Sequence, residues 1–192
     1  MLTREQIIDI FKVKDVLLEG HFRLSSGRHA QHYLQCAKIL QYPADTEVLA
    51  KQLAQLFVDE KITVVAGPAI GAIILAYEVA RALGVRSIFG ERENGVMTFR
   101  RGFQLNPEDK VLVVEDVITT GGSTKELIEA VKKSQATLVG VGSLVDRSGG
   151  KVDFGIPFKP LLSFEIQSYM PEECPLCKQG VSDAVKPGSK QE

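Results

Sequence analysis

A surplus of basic charge is missing from this chain: 23 lysines and arginines face 24 acids, for a formal net charge of −1. No broad positive field is available to attract nucleic acid, and none is expected as a partner. Long apolar runs are missing as well. The longest uncharged stretch, residues 62–77, spans sixteen positions and contains proline and glycine, whereas a bilayer-crossing helix needs about 20 apolar residues. The stretch reads as core, and no membrane attachment is expected. The opening segment MLTREQIIDIFKV mixes acids and bases and has no apolar block of the secretory type, which points to the cytoplasm. Cysteine is scarce: Cys36, Cys174 and Cys177 are too few and too unevenly spread for a disulfide framework. The CPLC run at 174–177 has half the spacing of a zinc ribbon, but no second CxxC or CxxH follows. It reads as a turn closed by proline with two semi-buried thiols.

What is present is an ordinary globular composition. With 44% hydrophobic residues over 192 positions, the chain can fill one well-formed core. Its apolar residues alternate between two periods. TREQIIDIFKVKDVLL (3–18) has helical spacing with Thr3 as N-cap, and PADTEVLAKQLAQLFVDE (43–60) repeats the pattern behind a proline. TVVAG (63–67) is a short β-branched run, followed by a helical segment closed by Gly84 and a strand at 85–90. The charged segment 91–109 carries an Asn94–Gly95 turn signal and reads as an exposed hairpin or mobile loop. Further strands are expected at 111–115, 137–148 and 160–166, with a helix at 123–134. Strands separated by helices of about a dozen residues predict an α/β fold: right-handed βαβ units, a parallel central sheet and helices on both faces. Ligands of such sheets bind at the carboxyl ends of the strands.

The stretch VLVVEDVITTGGST (111–124) joins a buried strand to a helix through a turn of hydroxyls and glycines. Thr119, Thr120, Gly121, Gly122 and Ser123 present backbone amides and hydroxyls where a helix begins, a geometry suited to phosphate. Glu115 and Asp116 repel a phosphate and need another partner; the vicinal hydroxyls of a ribose would accept both carboxylates. The ligand implied is a phosphorylated sugar. The spacing matches neither GxxxxGK[ST] nor GxGxxG, which argues against a P-loop hydrolase and a dinucleotide fold.

This stretch resembles the 5-phosphoribosyl 1-diphosphate motif of the type I phosphoribosyltransferases. EGHFRLSSGRHAQHYLQCA, AGPAIGAIILAYEVARALG, ERENGVMTFRRGF and GVGSLVDRSGG extend the resemblance to the orotate phosphoribosyltransferases, over roughly residues 5–165. It implies a single domain, 1–192, with an N-terminal hood at about 1–40 joined by parts of the C-terminal region, and a core at about 41–165. It implies that Glu115 and Asp116 hydrogen-bond the ribose, and that Val117, Ile118, Thr119, Thr120, Gly121, Gly122 and Ser123 line the phosphoribosyl site. Residues 67–71 resemble the pyrophosphate loop. Ser25, Tyr33, Thr119 and Arg147 would meet orotate, with Arg147 on its carboxylate. The mobile loop carries Arg92, Arg100 and Arg101 where lysines and a histidine are common, and arginine neutralises charge without readily donating a proton. Arg92, with Glu115 and Asp116, is the expected catalytic set.

The chemistry implied is attack of a ring nitrogen on the anomeric carbon with loss of pyrophosphate, with Mg2+ on the diphosphate and a homodimer whose subunits share the active site. Purine phosphoribosyltransferases and non-catalytic regulators carry the same motif and stand as alternatives. His21, His29 and His32 fall within twelve positions, but no cysteine or carboxylate cluster stands near them in sequence. They read as hood and surface residues, and no metal ligand is expected from the protein.

Overall fold

The computed structural model describes residues 2–24, 26–164 and 166–186. The chain opens with α1 (Arg4–Val13) and a hairpin of β1 (Leu17–Arg23) and β2 (His29–Leu34). Two helices follow, α2 (Ala37–Leu40) and α3 (Pro43–Gln55), then β3 (Val64–Pro68), α4 (Ile73–Leu83), β4 (Arg86–Glu93) and β5 (Val96–Phe99). β6 (Lys110–Ile118), α5 (Gly122–Lys133), β7 (Thr137–Asp146) and β8 (Phe158–Ser163) complete the larger sheet, and β9 (Ser168–Tyr169) and α6 (Pro175–Lys178) lie beyond it.

Local chemistry sets most of these boundaries. Thr3 caps α1 through a reciprocal box: its hydroxyl accepts from the Gln6 amide at 3.3 Å, and its own amide donates to Gln6 Oε1 at 2.9 Å. The helical period of 3–18 is not followed to its end. Asp15 takes a positive φ of 51°, the helix stops, and Leu17 and Leu18 pair with Leu34 and Tyr33 as strand residues. Asn94 and Gly95 both have positive φ, 51° and 81°, as a tight hairpin turn between β4 and β5 requires. The charged segment is therefore a hairpin up to Phe99, on the outer edge of the sheet.

The six-stranded sheet runs β5-β4-β3-β6-β7-β8, parallel except for β5. β6 shows why its apolar run is unbroken. Val111 and Val113 face one hydrophobic cluster with Ile88, Leu127, Ile128 and Val131, while Leu112 and Val114 face another with Leu49, Leu53, Leu75 and Leu144. Both faces are covered, by α5 on one side and by α3 and α4 on the other, so both residue parities are apolar. The sheet grows outward in two directions from β3 and β6. Their carboxyl ends open a crevice at the point where strand order reverses, the place where such sheets hold ligands. A second, three-stranded sheet, β1-β2-β9, pairs His29 with Tyr169 and Ala30 with Ser168. This hood draws its strands from both ends of the chain. Among the described residues no helix is long and apolar enough to cross a membrane.

Candidate active site

β6 delivers Glu115 and Asp116 to the crevice and hands the chain to the turn 119–121. Thr119 and Thr120 are exposed, and Gly121 is the residue before α5, in left-handed conformation with φ 71°. A Cβ on Gly121 would lie 2.9 Å from Val152 Cγ1 and 3.1 Å from Phe154 Cε1. Glycine is thus required twice, by backbone conformation and by the packed 152–154 segment beneath it. The turn and the first residues of α5 enclose a small hollow of about 80 Å³, lined by Glu115, residues 117–123 and Thr124. The first amides of α5, which have no partner within the helix, carry the helix's effective positive charge, about half a unit, into this hollow.

The two acids differ in surroundings. Glu115 is buried and accepts a 3.4 Å hydrogen bond from the Thr124 hydroxyl. Burial, and then the neighbouring Asp116 charge, pushes its carboxyl from an ordinary 4.5 up to about 8. Asp116 Oδ1 accepts from the Val117 amide at 2.8 Å, yet burial still raises its pKa. The 69–72 turn after β3 closes in from the other side of the crevice: a Cβ on Gly71 would stand 3.3 Å from Asp116 Oδ1. Any larger residue there would press on the carboxylate.

Arg147 follows β7, and its amide donates to Ile118 O at 2.7 Å, fixing it beside the end of β6. Its Nε is buried without a hydrogen-bond partner among the described residues. Burial lowers the guanidinium's hold on its proton, an effect opposed by Tyr33 and Cys36. Burial drives the Cys36 thiol well up, with the Asp116 charge adding to the rise and the Arg147 charge opposing it. Tyr33, Asp116 and Arg147 therefore share one electrostatic neighbourhood, where hood and core meet. A buried donor left unpaired costs about 1–3 kcal/mol, so this one is suited to an incoming anion. Tyr33 stacks at a tilt on Phe22, with ring centroids 5.7 Å apart. Ser25 lies outside the described residues. Arg28, in the same segment, turns to Ser168, its Nε donating to the Ser168 hydroxyl at 2.9 Å.

The hairpin arginines are engaged with acids at the surface. Arg92 pairs with Glu126 at 2.8 Å and reaches Ser123 Oγ at 3.2 Å. Arg101 pairs with Glu91 at 3.0 Å, and Arg100 with Glu93 at 3.1 Å. Exposed pairs of this kind contribute about 0–1 kcal/mol each, little enough for a polyanion to displace them.

Sequence spacing missed one constellation. His21 and His29 are buried rather than surface residues, and Cys174 and Cys177 stand beside them, the four potential ligand atoms all within 4.8 Å of one another. The expectation that no cysteine completes the histidines fails because β1 and β2 lie against the α6 segment. His29 and Cys177 are 148 positions apart in sequence, and only the tertiary fold brings them together.

The family pattern described as the phosphoribosyl transferase domain matches residues 37–167. The chain is 58% identical to the orotate phosphoribosyltransferase of Pelotomaculum thermopropionicum over 99% of its own length and 100% of that relative. It is 56% identical to that of Caldicellulosiruptor bescii, again over 99% and 100%. Among solved structures it resembles orotate phosphoribosyltransferase from Aeropyrum pernix, at a TM-score of 0.69 and 24% identity, covering 92% of this chain and 99% of the other.

Proposed function

This chain belongs to the orotate phosphoribosyltransferase family, and from that premise we propose that it transfers the 5-phosphoribosyl group of 5-phosphoribosyl 1-diphosphate to orotate, giving orotidine 5'-phosphate and pyrophosphate in the de novo route to UMP. The observation that carries the reading is Arg147: a half-buried guanidinium whose buried Nε has no partner among the described residues stands beside Tyr33 and the acid pair, and a planar carboxylate suits its fork of donors. The hollow at the start of α5 takes the 5-phosphate, through the amides and hydroxyls of Thr119 to Ser123. Glu115 and Asp116 then face the ribose hydroxyls, and residues 67–71 approach the diphosphate. Ser25, Tyr33 and Thr119 frame the orotate ring.

No side chain serves as nucleophile. The ring nitrogen of orotate attacks the anomeric carbon as the carbon–oxygen bond to pyrophosphate breaks, and the protein positions the two and stabilises charge as it shifts. The carboxylates stabilise positive character developing on the ribose. Arg92, released from Glu126, approaches the negative leaving group, with the hairpin closing over it to exclude water. Arg100 and Arg101 are the further cations of that hairpin. The acid pair fits a neighbouring cation: burial raises the pKa of both carboxyls, and a nearby positive charge would favour their ionised form. Mg2+ would arrive on the diphosphate oxygens, as it commonly does, and would neutralise charge on the leaving group.

Exposed apolar side chains at Ile70, Ile74 and Tyr77 lie on the turn before α4 and on its first turns. Grouped apolar exposure of this kind marks interaction surfaces and supports a homodimer formed next to the active site, in which each hairpin serves the partner's crevice. Light scattering of the purified protein measures this, and a monomer at assay concentration would remove it. The composition supports a cytoplasmic enzyme without nucleic-acid partners.

The test follows orotate by its ultraviolet absorbance with 5-phosphoribosyl 1-diphosphate and Mg2+ present, and with each omitted. Loss of orotate only when both are present is expected. Turnover of a purine base with none of orotate would move the assignment to a purine phosphoribosyltransferase, and turnover of neither would leave a regulator.

A further inference from the structure

The four-residue cluster in the hood is far more ordered than scattered polar positions would be. His21 lies on β1 and His29 on β2, while Cys174 and Cys177 bracket the proline-led first turn of α6. His21 Nε2 stands 3.0 Å from His29 Nδ1, 3.5 Å from Cys174 Sγ and 3.6 Å from Cys177 Sγ; His29 Nδ1 is 3.2 Å from Cys177 Sγ. A tetrahedral zinc with bonds of about 2.05 Å to nitrogen and 2.3 Å to sulfur separates its ligands by about 3.4 Å for two nitrogens and 3.6 Å for nitrogen and sulfur. These four distances fall within about 0.4 Å of that shell, and all the ligand atoms lie within 4.8 Å of one another. The other face of His21 is set as well: Nδ1 lies 2.7 Å from the Ser182 carbonyl, to which it donates, leaving the Nε2 lone pair directed at the cluster.

We propose that His21, His29, Cys174 and Cys177 bind one zinc ion. Two thiolates and two imidazoles in tetrahedral array select zinc over oxygen-preferring cations such as Mg2+. Four protein ligands leave no open position, so the site is structural rather than catalytic. It acts as a clip. The segment it holds already runs along β1, with the Val185 amide donating to His21 O at 2.9 Å and the Arg23 amide donating to Val185 O at 2.8 Å. Zinc fastens this segment to the β1–β2 hairpin that carries Tyr33. Three elements with little core of their own thereby become one rigid hood.

The test is metal analysis of untagged protein purified without chelator, or refolded with zinc present. One zinc per chain is expected, released on titration of the thiols by a mercurial. Cobalt in its place should give the intense visible bands of a tetrahedral site and thiolate-to-cobalt charge transfer in the near ultraviolet. Cys177→Ser, at an exposed position, should abolish tight binding and lower the melting temperature without disturbing the core. Cys174→Ser should do the same, and Cys177→Ser keeps the proposal testable if the buried Cys174 variant fails to fold. The proposal is overturned by protein that stays free of zinc when the metal is supplied, by Ellman reactivity of the two thiols that zinc does not slow, or by cobalt spectra lacking charge transfer.

Discussion

Replacing Arg147 by methionine separates binding from stability in a direction that few site variants share. In the ligand-free protein the guanidinium is half-buried, its Nε has no partner among the described residues, and burial works against its charge. A methionine of similar length removes the unpaired donor and keeps the packing. An unsatisfied buried donor costs about 1–3 kcal/mol; partial solvent access to the rest of the group brings the expected gain to the low end, about 1 kcal/mol. For a chain of this size that is a rise of about 2–4 °C in melting temperature. The carboxylate contact is lost at the same time. Hydrogen bonds to charged groups contribute about 1.5–3 kcal/mol, so kcat/KM for orotate should fall about 10- to 150-fold. The KM for 5-phosphoribosyl 1-diphosphate should stay unchanged. Steady-state absorbance assays with each substrate varied, beside thermal melts of the free protein, measure both effects. Unchanged kcat/KM for orotate, or a variant less stable than its parent, would refute the account of Arg147 as a donor waiting for substrate.

Three other perturbations follow from the geometry. Glu115 has a folded-state pKa raised from 4.5 to about 8, so the folded protein holds this proton more tightly than the unfolded chain. Its contribution to stability is full below about pH 4.5 and is lost as pH rises through about 8; Glu115→Gln should flatten the decline in ligand-free stability between those limits, and parallel urea melts at several pH values would show it. Gly121→Ala meets a positive φ, costing about 1–2 kcal/mol, and a packed neighbour, costing about 1–3 more. A loss of about 2–5 kcal/mol is expected, read from the urea midpoint at constant m-value; a loss under 1 kcal/mol would mean the turn relaxes freely. Arg92→Ala removes an exposed ion pair and should change stability by less than about 0.5 kcal/mol while lowering kcat at least tenfold, as expected for loss of charge stabilisation in the transition state; equal turnover by the variant would remove Arg92 from the mechanism.

The sequence displays its sheet more openly than its hood, for a physical reason. β3, β6 and β7 are buried on both faces and read as near-continuous apolar runs, and α4 ends at a glycine whose φ of 70° is the C-cap that its residue type implies. The phosphate turn was legible because its chemistry is local: acids, hydroxyls and glycines within ten positions serve one site. The hood is different. β1 and β2 carry His21, His29 and His32 among half-buried residues, their alternation is broken by a register shift between Glu19 and Phe22, and their third strand is two residues long. Leu17 and Leu18 extended an apparent helical period because periodicity cannot sense the left-handed Asp15 that ends it. The His–Cys cluster stayed hidden for the same reason. Metal spacing is read along the chain, and here each half of the ligand set is ordinary until folding joins them.

The joining of both chain ends in the hood has a consequence for synthesis. The strands of the larger sheet have all emerged once Ser163 leaves the ribosome, but β2 has no partner on its outer side until Ser168 and Tyr169 follow, and β1 has none until Val185. At about 5–20 residues per second, the β1–β2 hairpin waits on the order of ten seconds after its own translation, and an isolated two-stranded hairpin is marginal in water. A nascent chain therefore acquires its phosphate turn well before the surface that carries Tyr33 is secured. A chain that stopped between the two would have every strand of the larger sheet and neither outer partner of the hood hairpin.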